Sequence, residues 1–467
     1  MLFSSITFLY YFLPAVLVLY YLVPSSMKNT VLLAASLFFY FYGEPAYSIL
    51  MIMASLSGYL HGLWIEKARN GRFAKVPLVS SIILGLGPLV YFKYTDFLIS
   101  NVNTVFGSNL TPLRLALPIG ISFYTFQIMS YTIDVYRGKA GVQRNFFDFA
   151  TYVSLFPQLI AGPIVRYTTI EAELENRTHS LDDFAYGVNR FIIGLSKKVL
   201  LANTLGELGK VFGSIDDKTL LLYWTYAVAF TLQIYFDFSG YSDMAIGMGR
   251  MLGFRFLENF NYPLISGSIT EFWRRWHMSL GTWFRDYVYI PMGGNRVSRL
   301  KWLRNITVVW LLTGLWHGAE WNFVIWGLYF ALFLALEKLF LKKLLDRIPS
   351  VFRHLYTLFF ILISFVIFNA DGMAECIMNL KGMFGMLGVP LTSSATTYYL
   401  RSYALTLVVA AIAATPVVTD LLNKLSQKSR GAAIINALEP VVLGLLLLVV
   451  TGYLVDGSFN PFLYFRF

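Results

Sequence analysis

Long apolar runs alternate along this chain with short segments that carry nearly all of its charge. Apolar stretches cover residues 6–22, 76–91, 220–234, 308–315, 323–336, 355–368, 404–418 and 441–454. An α-helix needs about 20 apolar residues to cross a bilayer core, so the pattern predicts an all-α integral membrane protein with roughly 10–12 crossings. The run at 308–315 is short for a full crossing, and it leads into a histidine. The stretch 146–162 is apolar but holds Pro157, Gly162 and Pro163, and it gives way to a polar segment at 166–183. That pattern predicts a re-entrant hairpin. Irregular backbone at membrane depth persists only where protein or a water-filled cavity covers it, so a cavity is expected. No tandem repeat, low-complexity tract or soluble domain interrupts the chain, and one membrane domain over 1–467 is expected.

Composition agrees with this picture. The chain is 57% hydrophobic and 13% charged, where soluble domains carry about 25% charged residues. Aromatic residues make up 17%; Tyr and Trp favour the bilayer interface. No signal peptide is expected, because the first run lacks a basic flank and a small-residue cleavage site and continues into further spans. The single cysteine, Cys376, has no His or Asp near it in sequence, so it is not expected as a nucleophile. A net charge of +11 in a soluble protein would suggest nucleic acid. In a membrane protein it reflects Lys and Arg kept in cytoplasmic loops, and no nucleic-acid partner is expected.

The charges give a topology. Residues 65–75, 137–145, 342–353 and 420–430 are rich in Lys and Arg and are expected inside, while 94–113 and 371–400 are expected outside. Counting crossings from these loops puts the N-terminus and the C-terminal tail outside.

Ionisable groups within apolar segments are costly and usually functional. Asp237 and Asp243 lie in QIYFDFSGYSDMAIG at 233–247. Each is read either as a carboxylate that pairs with an Arg or caps a helix, or as a ligand of the cavity wall or a proton partner; Ser239 and Tyr241 are candidates for the same wall. Residues 271–304 carry seven basic and two acidic residues interleaved with aromatics. One reading is a cytoplasmic interfacial helix against lipid headgroups. The other adds a phosphate-rich ligand held by Arg274, Arg275, Arg285 and Arg296 and by the backbone amides of Gly293 and Gly294. Of five histidines, His61, His179 and His354 read as structural. His277 sits in the basic aromatic segment. His317 closes the short run in TGLWHGAEWN at 313–322, flanked by Gly314 and Gly318, with Trp316 and Asn322 close by in sequence. A neutral imidazole at membrane depth serves either as a structural group or as a general base toward a hydroxyl. Walker A, CxxC and HExxH motifs are absent from the sequence, and no metal is expected. GMGRMLG at 247–253 reads as small-residue helix packing.

Five segments together are similar to the membrane-bound O-acyltransferase family, and within it to the bacterial alginate O-acetylase type. They are LPIGISFYTFQIMSY (117–131), FPQLIAGPIVR (156–166), QIYFDFSGYSDMAIG (233–247), FWRRWHMSLGTWFRDYVYIPMGGNR (272–296) and GLWHGAEWNFVIWG (314–327). The resemblance implies a helical fold around a tunnel, with a motif-bearing core at about 115–340. It places the family's buried catalytic histidine on His317 and its second site position on His277. It implies acetyl-CoA as donor from the cytoplasm, a polysaccharide as final acceptor, and an external SGNH-type esterase-fold partner, all at a bacterial inner membrane. The tail, NPFLYFRF at 460–467, resembles an aromatic C-terminal motif of this branch. That likeness makes Tyr464 either an acyl relay or an aromatic anchor. Two rivals stand beside this reading. One is a D-alanyl transferase fed by a carrier-protein thioester, against which the tail motif in cis counts. The other is a transporter or flippase, against which the absence of inverted repeats counts.

Overall fold

The computed structural model describes residues 1–160, 162–457 and 463, and those residues form helices and connecting loops with no strand. Among the described residues five helices are long and apolar enough to cross a membrane: Ser48–Ala68, Lys75–Phe106, Trp321–Leu345, Ser350–Asn369 and Ser429–Val455. Ser394–Ala413 and Val417–Ser426 add a sixth if counted as one span bent by 58°. Large hydrophobic side chains stay exposed along them, such as Leu405 and Leu448, as a lipid-facing surface requires. The expected 10–12 crossings exceed this number because the remaining apolar runs fall in helices that are shorter, broken or polar. The segment 94–113, expected as an external loop, is helical as far as Phe106.

The chain divides into two compact units. The first holds Met1–Phe191 and Tyr241–Leu257. Its centre is the helix Ile121–Arg137, buried along almost its whole length. Gly58 and Gly62 of Ser48–Ala68 face it, and a methyl group on either would press into Ile128 or Tyr131. The segment expected as a re-entrant hairpin does break. Helix Phe146–Ser154 stops at Leu155, and the four-residue turn Phe156–Leu159 follows. At about 1.5 Å per residue neither piece crosses a bilayer.

The second unit holds Ile192–Gly240 and Glu258–Phe467. Helices Arg299–His317 and Trp321–Leu336 pair closely within it, because Gly314 lies against the Phe323 carbonyl and Gly327 against the Trp310 carbonyl. A side chain at either position would force the backbones apart. Around this pair Phe272, Trp276, Trp310, Trp326, Phe330, Phe365 and Phe368 form a buried aromatic core.

Candidate active site

His277 and His317 both belong to the second unit and enter it by different routes. The basic aromatic segment folds as two short helices, Ile269–Arg275 and Met278–Phe284. Ser268 caps the first by accepting the Glu271 N–H. The buried Glu337 carboxylate accepts from the N–H groups of Ile269 (2.6 Å) and Thr270 (2.8 Å) and from the Thr270 hydroxyl (2.5 Å). A negative charge is favoured at that helix end. The chain then reverses on His277 itself, at φ 44°. A left-handed backbone on a residue with a side chain costs about 1–3 kcal/mol and persists only where its surroundings impose it.

Asn259 imposes it. Its carbonyl oxygen accepts from the Ser279 N–H (3.2 Å), the Ser279 hydroxyl (2.9 Å) and His277 Nδ1 (3.1 Å). A backbone amide only donates, so its bond fixes which end of the Asn259 amide faces His277. Nδ1 therefore carries the proton, and the lone pair of the neutral ring lies at Nε2. His277 is 2% exposed, outside the long apolar helices. Burial strips hydration from its charged form and lowers its pKa from 6.5 to about 3.

His317 is the last residue of the 19-residue helix Arg299–His317. Its ring stands edge-on to Trp316 (4.9 Å between centroids), Trp326 (5.1 Å) and Phe368 (5.1 Å). Trp316 also lies 5.8 Å from the His277 ring, so one indole neighbours both imidazoles.

Helix Ile269–Arg275 leads away from His277 to a cleft of about 590 Å³. Arg274, Lys338, Lys342 and Arg353 stand in its wall beside Glu271, Glu337 and Asp346. Of the expected anion ligands, only Arg274 lines this cleft. Arg275 pairs with Glu271 at 2.9 Å, Arg285 chelates its neighbour Asp286 at 2.7 and 3.1 Å, and Arg296 is exposed. The amides of Gly293 and Gly294, expected to cradle phosphate, instead donate to the carbonyls of Ile290 and Tyr289, both at 2.9 Å. Those bonds close a tight turn in which both glycines take positive φ.

The residues expected along a cavity wall fall in both units. Asp243 and Tyr241 belong to the first unit, where Arg190 binds Asp243 at 2.7 Å and Tyr241 stacks on Phe3 at 4.5 Å. Asp237 belongs to the second and pairs with Lys198 at 2.5 Å. Ser239 is buried, and its hydroxyl has no hydrogen-bond partner among the described residues. Asn322 staples two helix ends by donating to the Ala370 carbonyl at 2.9 Å. Tyr464 lies outside the described residues. His61, His179 and His354 each bond ordinary neighbours: Ser57 and Ser80, Tyr20, and Ser350 and Ser266. Among the described residues no three His, Cys, Asp or Glu side chains gather as for a metal. Asn259, Lys198 and Lys338 had no sequence signal, since each meets a partner distant in the chain, while Lys342 and Arg353 were visible only as part of the basic segment 342–353.

The membrane-bound O-acyltransferase family profile matches residues 120–376, more than half of the chain, including both histidines. The chain belongs to this family, and it is a multi-pass membrane acyltransferase. "Probable alginate O-acetylase AlgI" of Pseudomonas aeruginosa is 44% identical over 389 residues, covering 82% of this chain and 75% of that protein. "Peptidoglycan O-acetyltransferase" of Helicobacter pylori is 33% identical over 427 residues, with coverages of 84% and 81%. "Teichoic acid D-alanyltransferase" of Bacillus subtilis is 28% identical over 334 residues, with coverages of 67% and 81%.

Proposed function

We propose that the protein takes acetyl from cytoplasmic acetyl-CoA and delivers it across a bacterial inner membrane for O-acetylation of an envelope polysaccharide. Alginate is the first candidate. The observation that carries this reading is the pair of histidines on Trp316, joined by one short helix to a basic cleft. The O-acetylase and O-acetyltransferase names of similar proteins support acetyl over D-alanyl.

The CoA phosphates occupy the cleft, where Arg274, Lys338, Lys342 and Arg353 supply charge-assisted hydrogen bonds. The pantetheine arm runs along helix Ile269–Arg275 toward the histidines. His277, neutral with its lone pair at Nε2, accepts an N–H or O–H of a bound substrate and orients it; in that form it does not polarise a carbonyl. His317 takes the proton of the acceptor hydroxyl. The acceptor oxygen bonds to the acetyl carbon, the carbon–sulfur bond breaks, and the proton passes to the departing thiolate. Holding both reactants in line supplies part of the rate. Tyr464 in the externally placed tail is the first acceptor. An external SGNH-type partner then collects the acetyl group for the polymer.

Thiol release by purified full-length protein tests the donor. Acetyl-CoA should be consumed, and His317→Ala should stop it. Turnover of a carrier-borne D-alanyl thioester with acetyl-CoA untouched would overturn the donor. Turnover of neither, with or without an acceptor, would point to a transporter.

A further inference from the structure

We propose that the buried Lys198–Asp237 ion pair is the seat of Leu463, near the C-terminus, and fixes the position of that residue on the second unit. The pair is built by close helix packing. Lys198 lies in the π-helical turn Lys197–Ala202, a form of helix often kept for function. Asp237 lies on helix Leu220–Met251, one turn before Gly240. A methyl group at Gly240 would stand 2.6 Å from the Gly194 carbonyl oxygen and 3.2 Å from the Lys198 nitrogen. Only glycine lets the two backbones approach closely enough to bring the side chains together.

The two side chains are 4% and 3% exposed. Burying such a pair costs desolvation that its attraction barely repays, so it is weak as a device for stability alone. A third contact gives it a use. The backbone N–H of Leu463 donates to Asp237 Oδ2 at 3.0 Å, and the Leu463 side chain packs on the aromatic core of the unit. Lys198 engages the other carboxylate oxygen, Oδ1. The carboxylate thus presents one oxygen to the cation and one to the tail. A bond to a backbone amide does not read a side chain; it reads position along the chain. It therefore fixes residue 463, the sequence neighbour of the proposed relay residue Tyr464. Lys198 and Asp237 are positioning residues for the delivery step, and this purpose rests on the relay reading above. The contact itself does not.

Single substitutions leave one charge buried and unpaired, so Lys198→Met or Asp237→Leu alone confounds folding with seating. The double variant Lys198→Met, Asp237→Leu replaces the pair with apolar bulk, an exchange that is commonly neutral or better for stability. The full-length protein carrying Leu463→Cys, with and without the double change, is labelled with a maleimide. Protein lacking Leu463→Cys serves as blank, since Cys376 is buried. With thermal stability matched, labelling should be at least about tenfold faster in the double variant, the change expected on losing a hydrogen bond to a charged acceptor. An unchanged rate would overturn the seat, even if acetyl-CoA is turned over normally. Faster labelling with no acetyl-CoA turnover by either protein would keep the seat and remove the function proposed above.

Discussion

The two histidines of the site sit in contrasting surroundings. His277 is held by polar groups, on a strained backbone, with its tautomer set by Asn259 and Ser279. His317 is held by rings at the end of a regular helix, between Trp316, Trp326 and Phe368. A ring locked by hydrogen bonds keeps one protonation state and serves to orient. On the proposed function, His277 positions the substrate and His317 takes the proton.

The strongest way to break this assignment is His317→Ala. General-base catalysis is worth about 10²–10⁴-fold, so kcat for acetyl transfer should fall by about a thousandfold in protein that still folds. Equal losses for His277→Ala and His317→Ala in the acetyl-CoA thiol-release assay would erase the distinction. Next, Asn259→Leu releases the His277 tautomer while keeping both imidazoles in the chain. Loss of a group that orients a site histidine costs about 10- to 100-fold, and it should appear in kcat with little change in KM. A stability measurement sharpens the contrast further. His277 is neutral in the fold at pH values where the unfolded ring, with a pKa of 6.5, takes a proton. Its contribution is therefore intact above pH 6.5 and lost as pH falls toward about 3. Between pH 6.5 and about 5 the protein should lose about 2 kcal/mol more than His277→Gln, at about 1.36 kcal/mol per pH unit. Equal acid sensitivity would show that the ring is charged in the fold. The smallest effect concerns the cleft, which leaves both histidines alone. Arg274→Ala or Lys342→Ala should raise KM for acetyl-CoA about tenfold with kcat kept, the worth of one charge-assisted bond. A similar loss with a truncated thioester lacking the nucleotide would place the phosphates elsewhere.

Much of this was legible in the sequence, and the limits have physical reasons. The helical membrane class follows from run length, and the break at Leu155 follows from Pro157 and its neighbours. His317 stood out because a short apolar run ended on it. The basic character of 271–304 was visible, but the partners of its arginines were not. Arg275 and Arg285 are taken up by Glu271 and Asp286 within the segment itself, while the cleft draws Lys338, Lys342 and Arg353 from other helices. Asp237 and Asp243 looked alike in one motif, yet each finds its own cation, Lys198 and Arg190. Periodicity reports the face a residue shares with its own helix and not the partner it meets. Asn259 follows the same rule: its loop carries no motif, and its importance comes from what it accepts.

On the proposed function, His317 drives acetyl transfer from acetyl-CoA. Mass spectrometry of the C-terminal peptide, after full-length protein and His317→Ala are each incubated with acetyl-CoA, tests it most directly. The account predicts an added acetyl group on Tyr464 in the first protein and none in the second. Equal acetylation of Tyr464 in both would contradict it.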